Sequence, residues 1–281
     1  MPEQPPLPAE PDKIVLARPV QALPYAAVPP KPPGPIDLSG VRRDHAYLDL
    51  VLILTVAVIV PFAPHVVASF VFEDAGPPQI GPLTTAIKWI DVLLVGSIAA
   101  YLLLRHRLPS ASFGLRSNGL GLQVLWSLGA LIAAYAYIAG SVVVIFTVIA
   151  FVPGLQKDLL HRVDFVQQMP VTSLIDSILL LIPVAIHEEL LFRGMLLPYL
   201  RRVVGRWWLA ILISSAIFGG LHFPQGWLGA LQITGLGAVL AICFVLSRSL
   251  LAVTIAHFAF NLLQFQIVRL LPDMQDLLQN G

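Results

Sequence analysis

From residue 44 onward the chain is a succession of long apolar runs broken by short polar stretches. The runs cover 47–72, 86–104, 122–152, 171–200, 206–222, 227–247 and 249–271. A helix needs about 20 mostly apolar residues to cross the hydrocarbon of a bilayer, so each run predicts a membrane-crossing helix. The expected fold is therefore an all-α, polytopic transmembrane helix bundle of about seven spans filling residues 44–272. The third and fourth runs are long enough to tilt or to extend past the bilayer. The last three are joined by very short breaks and predict a tight antiparallel set.

The segment ahead of the bundle has a different character. Of the chain's 24 prolines, 12 lie in the first 35 residues. Proline lacks an amide proton and fixes its own φ, so residues 1–40 predict an extended, disordered tail. Met1, Pro2, Glu3 and Gln4 open the chain without the basic patch and apolar run of a signal peptide.

Composition supports a lipid environment. Apolar residues make up 57% of the chain and charged residues 12%, against roughly 25% charged in soluble domains. Mean hydropathy is +0.82. There is too little charge here to cover a water-soluble surface. A net charge of +1 with no basic stripe gives nothing to track a phosphate backbone, so no nucleic-acid partner is expected. The single cysteine, Cys243, excludes disulfide frameworks, CxxC redox pairs and thiolate zinc sites.

Charge placement orients the bundle. Arg42 and Arg43 precede the first run, Arg105 and Arg107 follow the second with Arg116 close behind, Arg201, Arg202 and Arg206 lie between the fourth and fifth, and Arg248 between the sixth and seventh. The opposite breaks carry Glu73 and Asp74 or no charge, apart from Lys157 and Arg162. The positive-inside rule then predicts a multi-pass protein of the cell membrane with a cytoplasmic N-terminus. No internal repeat is visible, which argues against a carrier built from duplicated halves.

Three runs carry polar residues that lipid does not tolerate without a reason. The fourth contains His187-Glu-Glu-Leu-Leu-Phe-Arg193. Glu189 and Arg193 are four apart and share a helix face, so they predict a structural ion pair. Glu188 points about 100° away from Glu189 and is left to face something else. Phe218-Gly-Gly-Leu-His222 ends the fifth run, where Gly219 and Gly220 predict a close helix approach. His257-Phe-Ala-Phe-Asn261 puts a polar pair one turn apart on the seventh. Counting ~1.5 Å per residue from the predicted cytoplasmic ends, Glu188, His222, His257 and Asn261 all fall at mid-membrane depth, between ~12 and ~24 Å.

These motifs, EExxxR at Glu188–Arg193, FxxxH at Phe218–His222 and HxxxN at His257–Asn261, resemble those of the CAAX-processing and bacteriocin-processing (CPBP, or Abi) intramembrane proteases. They fall in order within a motif core of 171–265. Phe113-Gly-Leu-Arg116 is similar to a short element that often precedes the core in that family. The resemblance implies hydrolysis of a peptide bond within or beside the membrane. It implies that Glu188 and His222 activate water while His257 and Asn261 polarise the scissile carbonyl, as in type II CAAX prenyl endopeptidases. A carboxylate held among apolar helices suits a general base, and an amide and an imidazole N–H suit an oxyanion. Family members are also described as metalloproteases, and Glu188, His222 and His257 would then form a His₂Glu zinc set with water in the fourth position. There is no HExxH, since Leu191 stands where its second histidine would be. The metal-free glutamate reading, with no cofactor, is favoured over the zinc reading, and the sequence leaves both open.

Plainer readings compete residue by residue. His222 can simply cap its helix ahead of Pro224, and His257 with Asn261 can be interhelical glue. His187 is read as a packed histidine, and His45, His65, His106 and His161 as bystanders. Trp207 and Trp208 read as interface anchors. At the level of the whole chain, the alternatives to a peptidase are a catalytically silent immunity or scaffold membrane protein and a proton-coupled carrier. The expected partners are membrane lipid and a peptide or membrane-protein substrate.

Overall fold

A computed structural model describes Met1 and residues 36–71, 82–116, 119–158 and 173–270. Among them there is no strand. The helices are α1 (Arg43–Val71), α2 (Pro82–Arg105), α3 (Leu120–Phe151), α4 (Leu174–Glu189), a π-helical segment Leu190–Leu196, α5 (Leu197–Val204), α6 (Trp207–Leu221), α7 (Trp227–Ser247) and α8 (Leu250–Leu270). Each of the seven apolar runs has its helix, with α4, the π segment and α5 forming one rod. Leu83–Arg105, Leu120–Phe151, Trp227–Ser247 and Leu250–Ile267 are each long and apolar enough to cross a membrane, and Trp207–Leu221 is apolar but shorter.

The expected tail boundary at residue 40 moves. Ile36, Leu38 and Val41 are buried against the bundle, and the Ile36 amide donates to Ala111 O at 3.1 Å. Ile36, Leu38 and Val41, which follow Pro35 at the end of the proline-rich segment, are apolar side chains that gain from burial. Residues 2–35, Glu73, Asp74, His161 and Arg162 lie outside the described residues.

The arginine-bearing ends of the helices gather at one end of the bundle. Arg202 Nε donates to Val41 O at 2.7 Å, which joins α5 to the start of α1. Asp49 of α1 forms an ion pair with Arg105, Oδ1 to Nη1 3.2 Å, and meets His106 Nε2 at 2.6 Å at the end of α2. The Phe113-Gly-Leu-Arg element locks the same end. Gly114 has φ +75°, and a Cβ there would collide with the Phe244 ring, while its carbonyl accepts from the Leu250 amide at 2.9 Å. At the opposite end Asp158, just after α3, accepts the amides of Trp227 and Leu228 at 2.9 and 2.8 Å and caps α7.

Packing puts α4 between α2 and α8, and α6 against α7, with α3 covering α7 and α8. The expected close approach is carried by one glycine of the two. A Cβ on Gly219 would overlap Thr234 and sit 2.6 Å from Ala230 O on α7, whereas Gly220 faces open space. The outer faces of α2 and α3 are lined by exposed leucine, isoleucine, valine and phenylalanine side chains, such as Leu93, Leu104, Leu125, Ile132 and Phe146. Water would not tolerate such faces and lipid does.

Candidate active site

The helix that carries the two glutamates starts on a cap, since Ser173 Oγ accepts the Asp176 amide at 3.1 Å. Pro183 interrupts its hydrogen-bond ladder, and the π segment begins directly after Glu189. The sequence pattern predicts an unbroken helix here. A π turn adds a residue to the ladder without changing the apolar pattern, and such turns recur at functional sites.

Glu189 and Arg193 pair as their spacing predicts, with Nη1 2.8 Å from Oε1 and both side chains buried. The same glutamate oxygen also meets His257 Nδ1 at 2.7 Å, a contact that spacing within one helix could not reveal. Arg193 Nη2 donates to Gly237 O at 3.1 Å. Its guanidinium lies 4.6 Å from the centroid of the Phe218 ring, a cation–π contact. Phe218 is thus the floor of the site. Its ring is 4.8 Å from that of His222 and 6.3 Å from that of His257.

Glu188 faces away from Arg193, as the helical geometry requires. Its Oε2 lies 3.7 Å from His257 Nε2, so one imidazole stands between the two carboxylates. Glu188 also lines a cavity of about 110 Å³ together with His222, His187, Lys88, Phe192 and Phe218. His222 sits at the C-terminus of α6, where its Nδ1–H donates to Phe218 O at 2.8 Å. The capping contact is therefore present, and it leaves Nε2 free. Asn261 is half-buried one turn beyond His257, has no hydrogen bond among the described residues, and is not in the cavity wall. The structure thus brings Glu188 to His222 across a shared cavity and to His257, while Asn261 does not line that cavity.

The surroundings of Glu188 are less apolar than the sequence suggests. His187, His222 and Lys88 line its cavity, and His257 stands beside it. Lys88 Nζ is 2.9 Å from Asp91 Oδ2 inside α2, and His187 Nδ1–H donates to Pro183 O at 3.0 Å. Sequence reasoning passed over both as site residues. The signal was there for Lys88: two opposite charges three residues apart on an apolar helix are as costly as those that drew attention to α4. As for a metal, no three His, Cys, Asp or Glu side chains among the described residues stand close enough together to hold an ion. The His₂Glu set of Glu188, His222 and His257 does not fit as placed.

Residues 170–263 match the family model described as Rce1-like, type II CAAX prenyl endopeptidase. The matched stretch runs from just before the α4 cap to just beyond Asn261 and encloses all three motifs. Over that stretch, about a third of its length, the chain is similar to the CAAX-processing proteases. No curated protein and no solved structure matches it. The similarity points to a membrane peptidase in general terms. Around the matched motifs, α2 adds Lys88 and α4 adds His187 to the walls of the Glu188 cavity.

Proposed function

We propose that the protein is an intramembrane endopeptidase of the CAAX-processing type, in which Glu188 is the general base for a water shared with His222. The observation that carries this is the position of Glu188, which lines one cavity with His222 while standing 3.7 Å from His257 Nε2. A water between Glu188 and the free His222 nitrogen would lose its proton to the carboxylate as it attacks the scissile carbonyl. Oxygen of the carbonyl then takes up negative charge. His257 can meet it only in its doubly protonated form, because its Nδ1–H is committed to Glu189 and a neutral ring would offer Nε2 as an acceptor. Asn261 supplies the second donor once substrate occupies the site. The substrate is a peptide or protein segment in or beside the membrane, and the N-terminus is cytoplasmic.

The reading takes no metal. Its test is cleavage of a membrane-anchored peptide by purified protein, with and without a chelator. Activity that survives chelation and disappears in Glu188→Gln supports it. Activity that chelation abolishes and zinc restores replaces it with the metalloprotease, and unaltered cleavage by Glu188→Gln removes Glu188 as base.

A further inference from the structure

A second cavity, larger than that of Glu188, lies at the arginine-bearing end of the bundle. It encloses about 470 Å³ and shares no lining residue with the Glu188 cavity. Arg43 at the start of α1, Arg201 and Arg202 of α5, and Arg248 between α7 and α8 all line it, with Asp37 as the one acidic residue and Trp207 in the wall. Four guanidiniums against one carboxylate leave an excess of three positive charges around a single concavity. The side chains of Arg43 and Arg248 make no hydrogen bond or ion pair among the described residues, Arg248 bonding only through its backbone amide to Phe244 O. Arg202 uses only Nε, on Val41 O, which leaves its outer nitrogens for a ligand. Arg201 rests 5.6 Å over the Trp207 ring, which fixes its plane while its N–H edge remains available. Arg248 is turned into place by a left-handed backbone (φ +54°), a conformation non-glycine residues seldom adopt.

We propose that this cavity binds a phosphate-bearing ligand, most directly the headgroup of an anionic phospholipid. Guanidinium forks match phosphate oxygens in pairs, and an excess of three charges is more than one carboxylate neutralises. Helices enter and leave the bilayer at this end, and an interfacial tryptophan lines the wall. Basic pockets between membrane helices at such an end accept lipid headgroups. The proposal stands independently of the peptidase reading.

Its test uses the full chain purified in detergent, with lipid binding followed by native mass spectrometry. Phosphatidylglycerol is expected to bind more tightly than phosphatidylcholine. Arg201→Gln with Arg248→Asn should weaken phosphatidylglycerol about 30-fold, while Arg116→Ala, which removes an arginine outside the cavity, should change it less than about 2-fold. Asparagine is used at 248 because it tolerates the left-handed backbone. If the double variant does not fold, Arg248→Asn alone carries the test, with about a 5-fold loss. Inorganic phosphate that competes with the lipid identifies phosphate itself as the bound group, and lipid binding that phosphate leaves untouched identifies the headgroup in its lipid; either supports the site. Equal affinity for the two lipids, or an equal loss in Arg116→Ala, overturns it.

Discussion

His257 Nδ1 lies 2.7 Å from Glu189 Oε1, and that contact fixes what the rest of the imidazole can do. The same oxygen accepts from Arg193, so Glu189 acts as an acceptor and the proton between it and His257 belongs to Nδ1. The ring is thereby held with Nε2 toward Glu188. The two adjacent glutamates divide the work: one orients a histidine from another helix, and its neighbour faces the cavity.

The ion pair is the first thing to test. Arg193→Ala leaves a fully buried carboxylate with only His257 and should lower stability by ~3–5 kcal/mol. Glu189→Gln with Arg193→Gln should recover part of that loss, since neither residue is then charged. Thermal unfolding in detergent distinguishes the two, and equal midpoints would show that the pair contributes nothing.

The glycines of α6 give a sharper contrast. Gly219→Ala drives a methyl group into Thr234 and the Ala230 carbonyl, and should cost ~1–3 kcal/mol. Gly220→Ala meets nothing within 4 Å and gains helix propensity, so it should be neutral or stabilising by ~0.5–1 kcal/mol. Unfolding midpoints of both variants check the pair together. Equal losses would mean that α6 and α7 are not held at this distance.

Much of this arrangement is legible in the chain because lipid makes polar residues conspicuous. Seven apolar runs became seven helical rods, and i,i+4 spacing correctly paired Glu189 with Arg193. What was not legible is whatever depends on one helix meeting another. His257 reaches Glu189 across 68 positions. Asn261 lies one turn from His257, and neither residue lines the Glu188 cavity. The π segment leaves no mark in hydropathy, and the burial of Ile36, Leu38 and Val41 was hidden by the prolines before them.

Lys88 and Asp91 form a partly buried pair within α2. Lys88→Met should destabilise the protein by ~1–3 kcal/mol by leaving Asp91 unpaired, and Lys88→Met with Asp91→Leu should restore most of it. If the restored double variant keeps full peptidase activity, Lys88 is only a wall of the Glu188 cavity; a loss of kcat at unchanged stability gives its ammonium a role beside Glu188.

Topology can be read by labelling. Arg201 and Arg248 line one cavity, while Gly226 stands by the Asp158 cap at the other end. On a Cys243→Ser background, cysteine at 226 should react with an impermeant reagent added outside cells, and cysteine at 248 should react only after permeabilisation. The opposite pattern reverses the proposed orientation and moves the arginine cavity to the outer leaflet.

The peptidase reading stands or falls on Glu188 and the side chains around it. Glu188→Gln keeps the shape and removes the base, and His222→Ala removes the free nitrogen across the cavity; each should lower kcat/KM by ~10³-fold or more. His257→Ala removes a donor and should cost ~10²–10³-fold, and Asn261→Ala a similar amount if its amide reaches the oxyanion. The four variants need not agree. Asn261 lies outside the cavity wall, so retained activity in Asn261→Ala would assign the oxyanion to His257 without disturbing the base. Retained activity in His222→Ala would leave Glu188 to activate water alone. The decisive comparison is Glu188→Gln beside Glu189→Gln with Arg193→Gln. A base acts on the reaction directly, so Glu188→Gln should abolish turnover at unchanged thermal stability. The second variant loosens the imidazole, so part of its lost activity should track its lost stability. If both variants lose activity only in proportion to folding, the glutamates are structural and the catalytically silent scaffold reading replaces the peptidase.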